Sequence, residues 1–303
     1  MRTCHPLWRG GHGLDASPST FYAMARVLIE RGEIMRIASL AMYVSPPPLA
    51  AATATLWAFL RDDLRREGLT DVPDRLDAAL HHADAWLHPA LLLAQTCGYP
   101  YVRHQRGKVR LVATPVYGHP GCDGADMCSF IIVRADGPVR SLEDLRGTRA
   151  AINDPVSNSG ANLLRATIAP LSRNGRFFSS VVETGSHLAS IDAVATGTAD
   201  VAAIDCVTFG NTQRFDPGRV SRLRVLTTTA STPGLPLITR GDASDDELLL
   251  LRGSLGRVIT EPTLAEARDV LSLRDFAVLS DADYEPVAEL ARFAHRLGYP
   301  AIA

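Results

Sequence analysis

A chain of 303 residues, 46% of them hydrophobic and 21% charged, is long enough to bury a substantial core and to divide into two domains. Its 31 basic and 33 acidic residues leave a formal charge of −2, without the electrostatic footprint of a nucleic-acid binder. The five cysteines (Cys4, Cys97, Cys122, Cys128 and Cys206) lack C-x-x-C spacing, so no zinc motif or disulfide framework is indicated. Cys122 and Cys128 sit close enough in GCDGADMC to pair or to share a soft metal, but free thiols in a reducing compartment fit an odd count better. No metal and no cofactor is expected.

The opening residues MRTCHPLWRGGHGLDASPSTF contain no continuous apolar stretch of the kind a secretory signal needs. No run approaches the ~18 apolar residues of a membrane helix. The expectation is a cytoplasmic protein without membrane insertion, the periplasm being the alternative if the start is misassigned. Met1 and Met35 are both candidate starts.

Residues 1–20 carry turn chemistry, and Phe21–Arg31 is weakly helical. Met35–Tyr43 has the look of a first buried strand. Pro46–Pro48 then break the chain before a long helix over Leu49–Glu67. That helix carries Leu56, Phe59, Leu60 and Leu64 on one face and Arg61, Asp62, Arg65 and Arg66 on the other. His81, His82 and His88 lack metal-motif spacing and read as surface or cap residues. Asp84–Leu87 reads as a short strand, Pro89–Leu93 as a helical turn, and Gln95–Tyr99 as strand or loop. Val109–Tyr117 is a further strand, Gly121–Met127 a loop, and Ser129–Arg134 a continuous apolar strand suited to burial on both faces. Ser141 and Asp144 have capping-box spacing.

Ala150–Ile152 then opens a strand, loop and helix ending at Pro170. Ser157, Asn158 and Ser159 are all competent N-caps, and Gly160 allows close approach. Helix-start amides beside small hydroxyls suit an anion or a carbonyl-rich ligand, although an ordinary capped helix has the same pattern. Phe177–Glu183 is a strand running into Thr184–His187 (TGSH), followed by a helix over Leu188–Ala195 closed by Gly197. Val201–Asp205 is a strand leading into DCVT. Strands at Leu223–Thr229 and Leu237–Thr239 follow, with Asp275–Val278 lying between helices. The late helices are Asp245–Ser254, Leu264–Leu271 and Tyr284–Leu297. Such alternation predicts an α/β protein with mostly parallel sheets, which bind ligands beyond the carboxyl ends of their strands. The loops SNSG, TGSH and DCVT all lie at such ends, and together they predict one shared pocket.

The segments SLEDLRGTRAAINDPVSNSG, TGSHLASIDAVATGTADVAAIDCVT and LRVLTTTASTPGLPLITR resemble the PhnD-like substrate-binding proteins of ABC transporters for phosphate, phosphite and phosphonate. The resemblance spans about Met35 to Arg240. It implies a two-lobed type 2 periplasmic-binding-protein-like fold with two hinge crossovers. Lobe 1 would be 35–127 plus 236–303, lobe 2 would be 128–235, and 1–34 an irregular extension. It implies ligand contacts from Ser157, Asn158 and Ser159 with amides near Gly160, from Thr184 and His187, from Asp205, and from Tyr43 in the first lobe. Trp86, Gln95, Tyr117 and Ser129 lie in segments expected to face the same cleft. Each has a plainer reading: Tyr43 and Trp86 as core aromatics, Gln95 as a turn cap, His187 and Asp205 as helix caps.

The implied function is binding of a small anionic or polar ligand, phosphonate- or phosphate-like, for uptake or sensing, with an ABC permease or a sensor protein as partner. The N-terminal segment and TPVYGHPGCDGADMCSF depart from the usual family pattern. The alternative is an enzyme on the same scaffold, acting on a small phosphorylated or heterocyclic substrate. It would use Cys97, Cys128 or Cys206 as nucleophile and His119 or His187 as base. No G-x-S-x-G or Cys–His–Asn pattern supports it.

Overall fold

The computed structural model describes residues 35–303 apart from His81. The expectations for 1–34, including the helix at Phe21–Arg31, lie outside the described residues, as do Cys4 and His81.

Pro47 and Pro48 open helix α1 (Pro47–Arg66), where proline has no amide to lose and a φ already set for the helix. Leu49, Leu56, Leu60 and Leu64 form its buried face, and Phe59 packs at the margin of the same cluster. They lie against Leu92, Leu93 and Val112 of a first sheet. That sheet has the order β1-β2-β12-β3-β13. Its strands are β1 (Ile37–Ser39), β2 (Leu91–Gln95), β3 (Val109–Tyr117), β12 (Leu237–Arg240) and β13 (Leu273–Ala277). Helix α6 (Asp245–Thr260), capped by Ser244, packs Leu248, Leu251 and Leu255 into the same core.

A second sheet has the order β10-β6-β9-β7-β8. It comprises β6 (Ser129–Arg134), β7 (Arg149–Ile152), β8 (Ser180–Glu183), β9 (Val201–Asp205) and β10 (Leu223–Thr228). The chain passes between the sheets twice. The outward passage contains the hairpin of β4 (Cys122–Asp123) and β5 (Asp126–Met127), and the return contains β11 (Thr232–Pro233). β5 and β11 pair antiparallel, with Thr232 opposite Met127, so the two crossovers are bound side by side.

The sheets are mixed rather than mostly parallel. β1–β2, β7–β8 and β7–β9 are parallel, whereas β12 runs against β2 and β3, β13 against β3, and β6 against β9 and β10. β6 and β12 are the strands delivered by the crossovers, and they enter against their neighbours. Strand–helix alternation does not register that reversal.

Two short assignments are exchanged. Asp84–Leu87, expected as a strand, lies mostly within helix α2 (His82–Trp86), and the helical turn expected at Pro89–Leu93 gives way to β2, buried throughout. A short apolar run has no periodicity of its own to separate buried strand from buried helix. Met35–Tyr43 contributes only β1. Phe177 and Phe178 precede β8 rather than join it. They stack edge-on at 5.0 Å, and their amides donate to the carbonyl of Ala303. The reciprocal Ser141–Asp144 cap is present, with each backbone amide donating to the other's side chain.

The last helix, α8 (Glu285–Arg296), spans both halves. Val287 packs with Leu91, Tyr101 and Ile238 of the first half, and Ala294 and Tyr299 pack with Ile131, Leu164 and Ile168 of the second.

Candidate functional site

β9, β7 and β8 are parallel neighbours, so their carboxyl ends open on one edge. At the end of β7, Ser157 takes an extended backbone (φ −66°, ψ 139°), and its Oγ accepts the Gly160 amide at 3.1 Å. A π-helical turn, Asn158–Asn162, follows and leads into α3 (Leu163–Ile168). Gly160 lets the Asn153 side chain close in: a Cβ there would stand 1.8 Å from Asn153 Oδ1, which would have to move aside. Beyond β8, Ser186 caps α4 (His187–Thr196), closed by left-handed Gly197 at φ 79°, and this puts His187 on the helix's first position. At the end of β9, Asp205 caps α5 (Cys206–Phe215) by accepting the Thr208 amide on Oδ1 at 2.7 Å.

These three ends meet. Ser159 Oγ lies 2.8 Å from His187 Nε2, and Asp205 Oδ2 lies 3.2 Å from the same nitrogen. They border a cavity of about 70 Å³ between the two sheets. Drug-sized pockets run to several hundred Å³, so this one suits a ligand of few non-hydrogen atoms. Apart from Val156, its second-half wall is polar, from Asn153, Asp154, Ser157, Ser159, His187, Asp205 and Thr208. The facing wall is largely apolar, from Met42, Tyr43, Trp86, Pro100 and Leu235. Among the described residues lining it there is no lysine or arginine.

Burial holds the His187 imidazole below its ordinary pKa, with Asp205 opposing, so the ring is neutral near pH 7. Burial also holds the Tyr43 hydroxyl well above its ordinary value, reinforced by the Asp205 carboxylate it faces.

Of the residues expected from sequence, Tyr43, Trp86, Ser157, Ser159, His187 and Asp205 line the cavity. Gln95, Tyr117, Ser129, Asn158, Gly160 and Thr184 stand behind it. Gln95 Nε2 donates to the Leu235 carbonyl at 3.2 Å, and Tyr117 packs edge-on against Tyr43 at 5.4 Å. Ser129 Oγ donates to the Ser159 carbonyl at 3.0 Å. Asn158 bridges Thr232 and Asn162. Thr184 Oγ1 is shared among the Ile152 and Ser186 carbonyls and Ser190 Oγ. The turn amides do not point at the cavity as a free set: Gly160 donates to Ser157, and the Asn158 amide donates to Cys97 Sγ at 3.2 Å. Cys97, named from sequence only as a nucleophile for the enzyme alternative, also lines the cavity. Asn153, Asp154 and Thr208 follow strand ends and were open to the same rule that found Ser157.

The described cysteines are free, and Cys122 faces Cys206 rather than Cys128. Among the described residues no group of three or more histidine, cysteine or acidic side chains is arranged to hold a metal, and no helix is long and apolar enough to cross a membrane.

Two mixed α/β halves, joined by paired crossovers and facing each other across a small polar cavity, define a two-lobed ligand-binding protein. The family model for the periplasmic substrate-binding protein of phosphonate ABC transporters matches residues 48–284, and the chain belongs to that family.

Solved structures carry the same fold. A binding-protein component of a phosphonate ABC transporter from Pseudomonas aeruginosa is 19% identical with a TM-score of 0.69, covering 87% of each chain. PhnD1 from Prochlorococcus marinus, in complex with methylphosphonate, is 15% identical with a TM-score of 0.68, covering 88% of this chain and 98% of its own. A Xanthomonas citri protein bound to ATP is 19% identical with a TM-score of 0.63, covering 87% and 98%. No curated protein sequence matches the chain.

Proposed function

We propose that this protein is a substrate-binding component whose lobes clamp a small phosphonate- or phosphate-like anion that keeps a proton or carries a cationic substituent. The observation that carries this reading is the pairing of hydroxyl donors with a buried carboxylate in a cavity that, among the described residues, no lysine or arginine lines. Ser157 Oγ accepts from the Gly160 amide and keeps its own hydrogen for a ligand oxygen. If His187 Nε2–H is directed at Asp205 and Ser159, the Ser159 hydroxyl is likewise available. Asp205, 2% exposed, would repel a bare dianion and would accept from a protonated oxygen or an ammonium group. Tyr43 and Trp86 supply the apolar wall for a short substituent.

In this reading lobe 1 is 35–127 plus 236–303, lobe 2 is 128–235, and α8 straps the two together. Family membership supports an ABC permease as partner and the periplasm, rather than the cytoplasm, as the working compartment. Binding without turnover is favoured over catalysis by the histidine geometry. Ser159 and Asp205 both address Nε2, so the carboxylate does not hold the far nitrogen as a serine–histidine–aspartate relay requires.

A thermal-shift screen against phosphate, phosphite, methylphosphonate, an aminoalkylphosphonate and ATP tests the reading. A rise in melting temperature with one or more of the small anions and none with ATP is expected. No shift with any small anion would overturn it.

A further inference from the structure

One cluster has no part in the cavity: Cys122, Cys128 and Cys206 meet behind Asp205. Cys122 stands in β4, on the arm by which the chain leaves the first sheet, and Cys206 opens α5 directly after Asp205. Their sulfurs are 3.4 Å apart, with Cys206 fully buried and Cys122 partly exposed. Gly121 permits the approach. Its φ of +91° is left-handed, and a Cβ there would stand 2.8 Å from Cys206 Cβ and 2.9 Å from Cys128 Sγ. The backbone fixes the same contact, since the Cys128 amide donates to the Gly121 carbonyl and the Cys206 amide to the Cys128 carbonyl.

We infer that Cys122 and Cys206 are a reversible thiol–disulfide pair, oxidised by a peroxide, that ties the crossover arm to the Asp205 end of the second sheet. The Cys122 thiolate attacks one peroxide oxygen, the O–O bond breaks, and the second oxygen leaves as water after taking up a proton, so that Cys122 carries a sulfenic acid. The Cys206 sulfur then displaces that oxygen, the S–S bond forms, and a second water leaves. Two thiols lose two electrons and two protons, and one peroxide becomes two waters. The order follows from the environment. The hydrogen bond from Cys206 holds the Cys122 thiol below its ordinary range, while the same bond and burial push Cys206 up. The partly exposed sulfur is the one a peroxide reaches first.

The two residues are 84 positions apart, so the link closes a long ring in the unfolded chain and restrains the first crossover in the folded one. Because Asp205 adjoins Cys206, the oxidised state couples the hinge arm directly to a cavity residue. The link itself does not depend on which ligand the cavity takes.

The test uses the reduced full chain, treated with hydrogen peroxide, alkylated and peptide-mapped. The expected product has lost the mass of two hydrogen atoms, contains a Cys122–Cys206 linked peptide, reverts with dithiothreitol, and melts at a higher temperature than the reduced protein. C128S should form the link equally, and C206S should stop at a Cys122 sulfenic acid that dimedone captures. A Cys122–Cys128 link, or wild-type protein that goes to the Cys122 sulfinic acid without a crosslink, would overturn the inference. Mapping of the wild type needs no variant to fold, so a misfolded C206S would not obscure the result.

Discussion

Ser159 Oγ and His187 Nε2 lie 2.8 Å apart, although 28 positions separate them and they begin different helices. The contact exists because β7 and β8 are parallel neighbours and deliver their ends to the same edge. It joins a hydroxyl and a neutral imidazole into one polar surface facing Tyr43 and Trp86.

S159A, which removes a donor to the ligand, should weaken binding of a small phosphonate, and H187A should do so indirectly, by taking away the nitrogen that orients Ser159 and Asp205. A hydrogen bond to a charged group contributes about 1.5–3 kcal/mol, which is about 10- to 150-fold in affinity. Calorimetric titration at pH 7.5 checks this, and T184A serves as the control. Thr184 bonds the Ile152 and Ser186 carbonyls and Ser190 Oγ, none of which lines the cavity, so its loss should lower stability more than affinity.

G160A should destabilise the fold and disturb the cavity together. The new methyl would meet Asn153 Oδ1 at 1.8 Å and His187 Cε1 at 3.2 Å, and both of those residues line the cavity. Overpacking of this kind costs about 1–3 kcal/mol. Urea unfolding should show a lower midpoint with an unchanged slope.

The readable parts of this chain were those whose signal is local. Ser157, His187 and Asp205 were legible because a cap or strand-end residue is set by its immediate neighbours, and each does stand at a strand end or helix start. The place of Cys97 in the cavity wall was not, since it depends on the other half of the chain, where the Asn158 amide 61 positions away donates to its sulfur. Of the amides near Gly160, two already have partners within the protein, Cys97 Sγ and Ser157 Oγ. In the fold, the long helix α1 was plain from its apolar face, whereas β2 and α2 were exchanged because neither has a period long enough to read. Strand direction was hidden as well: β6 and β12 are reversed at the crossovers and β13 runs against β3, and no local pattern records any of the three.

Stability should fall as the solution is acidified below pH 6.5. Burial holds His119, His187 and His88 below that ordinary value, so each binds its proton more readily in the unfolded chain. Their contribution is complete above the unfolded pKa and is lost progressively as pH drops through it towards the folded values. Melting temperatures measured between pH 7.5 and 5 should decline, and H119Q should flatten the decline.

The E247A variant should be strongly destabilised without a direct effect on the cavity. Glu247 is 7% exposed at its side chain and bonds Arg240 at 2.5 and 2.6 Å and Arg36 at 2.9 Å. Removing it leaves two arginines in a buried setting without their shared carboxylate. The cost of breaking such a buried pair is about 3–5 kcal/mol, to be read from chemical unfolding.

The most direct test of the central claim is a calorimetric titration of methylphosphonate across the pH range in which it gives up its second proton, in the wild type and in D205N. Asparagine keeps the cap on Thr208 but removes the charge. Wild-type affinity should fall as the ligand becomes a dianion, and D205N should lose most of that pH dependence. Identical pH profiles for the two proteins, or no saturable binding in either, would contradict a cleft built around Asp205 for a protonated anion.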